Sequence, residues 1–96
     1  MATETLERPR VGGPGSGTGG SWHVIVLNDN RNTFDHVART LARVVPTVTL
    51  EQGFRIADKI HSTGQAIVWS GERERAELYW EQLSDAGLTM APLEQH

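Results

Sequence analysis

The densest set of polar groups in this 96-residue chain is the run Asn28-Asp29-Asn30-Arg31-Asn32, which follows directly on the apolar run Trp22-His23-Val24-Ile25-Val26-Leu27. Amide oxygens and a carboxylate are acceptors, so Asn28 and Asp29 suit a ligand that brings N–H donors, a cationic amine foremost. The same cluster also serves as ordinary turn punctuation, because Asn and Asp bond neighbouring backbone and tolerate tight bends. His61 is the second candidate. At the end of a helix an imidazole complements the helix dipole at the surface, and it joins a site only where it has a partner. Ser62 is a poor one, since successive helical residues point away from each other. His23, His36 and His96 stand at no metal-ligand spacing from His61 or from one another, and the chain has no cysteine. Neither a metal centre nor a thiolate nucleophile can be assembled from such a set, so the expectation is no catalysis, no metal and no cofactor.

These residues need elements to hold them. Residues 22–27 read as a buried strand that ends at the polar run. Phe34, Val37, Leu41, Val44 and Val45 fall at helical spacing, with Asn32 or Thr33 as the cap and Pro46 as the stop. Thr49-Leu50-Glu51-Gln52 matches a capping box, which starts a second helix with Leu50, Phe54, Ala57 and Ile60 on one face. That helix is expected to end at His61, with Gly64 as its left-handed cap. Gln65 to Trp69 reads as a second strand. Ser70 is placed to cap a third helix carrying Ala76, Tyr79, Leu83 and Ala86 inward, with Gly87 ending it, and Leu88 to Leu93 as a last strand. The order βααβαβ predicts an α+β sandwich, a three-stranded sheet with three helices packed on one face. On this reading Leu41, Phe54 and Tyr79 belong to the core, because a domain this small needs every apolar stripe. The charges Glu72, Arg73, Glu74, Arg75 and Glu77 read as the solvated face of helix three.

Six of the ten glycines lie between Gly12 and Gly20, so residues 1–21 are expected to be a flexible arm and residues 22–96 the folded core. The arm's charges, Glu4, Glu7, Arg8 and Arg10, cancel, and the core carries the whole net charge of -3. That balance argues against nucleic acid as a partner. No apolar run reaches membrane-spanning length and Met1 to Arg10 lacks a secretory signal, so the expectation is a cytoplasmic protein without a membrane partner.

Beyond these readings, Val24-Ile25-Val26-Leu27-Asn28-Asp29-Asn30, then Asn32-Thr33-Phe34, then Ile60-His61-Ser62-Thr63-Gly64-Gln65-Ala66-Ile67-Val68 resemble the ClpS family of adaptor proteins over residues 22–93. Each motif is weak alone, but their order and spacing reproduce the whole domain. The resemblance implies a non-enzymatic adaptor that binds the first residue of proteins with a bulky hydrophobic N-terminus, the N-degron, and hands them to a Clp AAA+ unfoldase–protease. By position, Asn28, Asp29 and His61 then receive the α-ammonium group, while Asn32, Phe34, Val37, Ala57 and Ile60 surround the side-chain pocket. Asp29→Ala is expected to weaken binding and leave the fold intact. Glu74 matches an acidic position used toward the unfoldase. The sequence departs from the family pattern where Asn32 replaces threonine, Phe34 and Ala57 replace methionine, and Tyr79 replaces lysine. The rival reading is a general interaction module shaped like the C-terminal domain of the ribosomal stalk protein, which uses a helix surface and no pocket.

Overall fold

The apolar run 22–27 forms β1 (Trp22–Leu27), the central strand of a three-stranded sheet, and Val24, Ile25 and Val26 are all buried in it. The computed structural model describes residues 21–95, so the expected arm lies outside the described residues apart from Ser21, as does His96. After the polar loop comes α1 (Phe34–Val44), where the Thr33 hydroxyl accepts the His36 N–H at 3.0 Å as the N-cap. Val45 is extended, the backbone region forced on a residue that precedes proline, and this ends the helix before Pro46. In α2 (Leu50–Thr63) the capping box is complete, with Thr49 and Gln52 exchanging side-chain and backbone bonds. The helix runs to Thr63, one half-turn beyond the expected end at His61, before Gly64 closes it at φ 98°, a conformation only glycine adopts without strain.

β2 (Gln65–Gly71) pairs antiparallel with β1, and this pairing corrects the expected start of the third helix. Ser70 lies opposite His23 and Gly71 opposite Trp22, so the strand holds Ser70 and the cap position of α3 (Arg73–Asp85) falls to Glu72. The last expected strand is also shorter than its apolar content suggested. Over 88–93 the chain makes one isolated bridge, Met90 to Val26, and β3 (Glu94–Gln95) pairs with the start of β1. Pro92 has no N–H to give to a ladder, which keeps this segment irregular. It still follows β1, through Leu27 N–H to Thr89 O at 2.8 Å and Ala91 N–H to Ile25 O at 3.0 Å.

One core joins the sheet to all three helices. It takes Val24 and Val26 from β1, Ala66 and Val68 from β2, Val37 and Leu41 from α1, Ala57 and Ile60 from α2, and Ala76 and Leu83 from α3. Leu41 and Tyr79 are buried as expected, but Phe54 is 38% exposed. The reason is helix phase: the buried stripe of α2 is Gly53, Ala57 and Ile60, so Leu50 and Phe54 flank it. Gly53 marks a close crossing, because a Cβ there would lie 2.5 Å from the Ala38 carbonyl oxygen of α1. This seam sets Phe34, at the start of α1, against the last turns of α2.

Candidate functional site

The end of β1, the start of α1 and the end of α2 meet at one corner of the molecule. The Asn28 N–H donates to the Gly64 carbonyl at 2.9 Å, which ties the residue after β1 to the cap of α2. His61 lies in the last turn of α2, three residues before that cap, and its ring meets the Phe34 ring edge-on, with centroids 5.2 Å apart and planes at 69°. Both side chains are exposed, so an apolar ring and an imidazole stand together at the surface beside Asn28. The C-terminal end of the α2 dipole adds a negative partial charge to the same corner.

Asp29 is the most heavily bonded side chain of the corner. Its Oδ1 accepts the Arg31 N–H at 2.9 Å and the Asn32 N–H at 2.8 Å. Its Oδ2 accepts the Asn32 amide at 2.7 Å and the Thr89 hydroxyl at 2.7 Å. The Asn32 backbone N–H is the foremost cause that holds the carboxyl far below the usual carboxylate range; partial burial opposes it, and the Thr89, Asn32 side-chain and Arg31 bonds reinforce it. Asp29 therefore keeps a fixed negative charge. The Asn32 amide also donates to the Gly87 carbonyl at 3.0 Å, and the His36 Nε2–H donates to the Ala86 carbonyl at 3.0 Å. His36 thus serves the end of α3 rather than the corner holding His61.

Among the expected pocket residues, Val37, Ala57 and Ile60 are buried in the common core, while Asn32 is half-buried and Phe34 is 42% exposed. Glu74 is exposed in the first turn of α3. Tyr79 is buried against Trp69, ring centroids 5.0 Å apart, so the solvent face beside Glu74 presents Leu78 instead. Among the described residues no group of three or more His, Cys, Asp or Glu is placed to hold a metal ion, and no helix is long and apolar enough to cross a membrane. Sequence reading missed Thr89, whose bond to Asp29 spans 60 positions and leaves no local signal.

The comparison with known proteins gives the class, an adaptor of an ATP-dependent protease. Residues 18–95 match the family described as "ATP-dependent Clp protease adaptor protein ClpS", and the chain belongs to that ClpS family. It is 54% identical over 74 residues to the ClpS adapter of Thermosynechococcus vestitus, covering 77% of this chain and 79% of the relative. It is 53% identical over 74 residues to the ClpS adapter of a Nostoc species, covering 77% and 76% of the two chains. Among solved structures it is similar to Agrobacterium tumefaciens ClpS2 bound to L-phenylalaninamide, with a TM-score of 0.70 and 26% identity over 80% of this chain and 98% of that one.

Proposed function

We propose that this chain is an N-degron adaptor: it binds the free α-amine and bulky apolar first side chain of substrate proteins and delivers them to a Clp unfoldase–protease, without itself making or breaking a bond. The observation that carries the reading is the convergence of Asn28, His61 and Phe34 at one corner, beside the fixed charge of Asp29. An α-ammonium group needs acceptors and a negative field, and Asn28, the His61 imidazole and the Asp29 carboxylate supply both. The first side chain then lies on Val37, Ala57 and Ile60, with Asn32 and Phe34 at the rim. Support comes from the A. tumefaciens ClpS2 structure, whose ligand, L-phenylalaninamide, has a free amine on an aromatic residue. Glu74 on α3 is the residue assigned to unfoldase docking, and the site of action is the cytoplasm.

The test compares two peptides that differ only at the first amine. A Phe-initiated peptide with a free amine binds, and its N-acetylated form is weaker by roughly 10- to 150-fold, the loss of one charge-assisted hydrogen bond of about 1.5–3 kcal/mol. Equal binding of the two removes the amine site and with it this function.

A further inference from the structure

We infer that Asp29 and Thr89 are positioning residues for the amine site, holding the loop that presents Asn28 while the ligand's ammonium group bonds to Asn28 and His61. The inference rests on the adaptor reading above and names which groups of the site touch the ligand. A carboxylate has about four lone-pair positions. Asp29 fills that number with protein donors, two on each oxygen and all between 2.7 and 2.9 Å. An ammonium group reaching Asp29 has to displace the Thr89 hydroxyl, the Asn32 amide or a backbone N–H, and every one of these donors except the exposed Arg31 N–H then loses a partner in a half-buried place. Asn28 and His61 carry no such prior claim on their side chains among the described residues.

The bonds of Asp29 do different work. Three of them brace the 28–32 loop from within, and the Thr89 bond clasps it to the segment that follows α3, alongside Asn32 to Gly87 and the Leu27 N–H to Thr89 O. On its other side Asn28 is tied to Gly64, so the residue is fixed from the clasp at one end and from the α2 cap at the other. Thr89 belongs to neither helix of the proposed pocket, and its hydroxyl enters the site only through Asp29. The charge of Asp29 still favours a nearby cation through space.

Thr89→Val separates the two roles, because they predict opposite signs. If Asp29 bonds the amine directly, losing the Thr89 hydroxyl frees a lone pair and affinity holds or rises. If Asp29 positions the loop, the same change slackens the clasp and affinity falls. The experiment is calorimetric titration of the full chain with a free-amine Phe-initiated peptide, well below the melting temperature of each variant, for wild type, Thr89→Val and Thr89→Ser. The expected result is roughly 3- to 10-fold weaker binding for Thr89→Val with unchanged stoichiometry, and near-wild-type affinity for Thr89→Ser, which keeps the donor. Unchanged stoichiometry is the readout that a mere loss of folded protein would move. Unchanged or tighter binding by Thr89→Val, or a fall in stoichiometry alone, overturns the inference and leaves the adaptor reading standing. Failure of wild type to bind the peptide overturns both.

Discussion

Two backbone N–H groups, an amide and a hydroxyl all bond the charged form of the Asp29 carboxyl, and none of them gains if it is protonated. Its folded-state value therefore lies well below the ordinary one, and the sign of the pH effect follows. An unfolded aspartate titrates near about 3.9, so the stability these bonds contribute is complete above that pH and is lost as pH falls toward the folded value. This gives Asp29 a share in the fold as well as in the site, where the sequence alone suggested a residue that could be truncated at no structural cost. Asp29→Asn is expected to be less stable than wild type by about 1–3 kcal/mol at neutral pH, and the gap is expected to narrow progressively below about pH 4. Urea denaturation of both proteins over a pH series checks it. A gap that stays constant through the acid range would place the loss in side-chain shape and not in charge.

The elements that position the corner owe their placement to close approaches such as that of Gly53 against the Ala38 backbone. Replacing Gly53 by alanine in a helix interior gains about 0.5–1 kcal/mol from helix propensity. It also puts a methyl group 2.5 Å from a backbone oxygen that cannot swing away, and overpacking of this kind costs about 1–3 kcal/mol. The clash wins, so Gly53→Ala is expected to lower the melting temperature and, by spreading α1 from α2, to part Phe34 from His61 and weaken peptide binding. Higher stability in that variant would show that the two helices adjust freely at this seam. What could be read beforehand follows the same division between local and distant causes. The capping box at Thr49, the cap at Thr33, the stop at Pro46 and the turn at Gly64 are all encoded within four or five residues, and so were legible in the sequence. Ser70 was misplaced because its strand state depends on pairing with His23, and Phe54 because its exposure depends on Gly53 meeting Ala38 on another helix. Within the candidate site, Asn28, His61 and Phe34 were singled out through the family motifs, and the structure brings the rings of His61 and Phe34 together. The saturation of Asp29 was not legible, because its fourth donor lies at the far end of the chain.

Every side chain assigned to the site falls between Asn28 and Thr89, and the domain that holds them is anchored from its first strand residue onward. Trp22 pairs with Gly71 on one side and Gln95 on the other, and the Arg73 guanidinium sits 5.2 Å from the centre of its indole ring. The glycine-rich residues before it carry no net charge and little apolar material, so they add neither field nor hydrophobic area to the corner. Deleting residues 1–21 is therefore expected to leave the melting temperature and the affinity for a Phe-initiated peptide unchanged. Delivery is a separate requirement, and we propose that the glycine-, serine- and threonine-rich composition of this segment suits it to engagement by an unfoldase. The truncated protein is accordingly expected to bind substrate but to support slower degradation by a Clp unfoldase–protease. Binding by calorimetry and degradation of an N-degron reporter, run on the same two proteins, separate the outcomes. Lost affinity would bring the arm into the site, while undiminished degradation would leave delivery to the surface around Glu74.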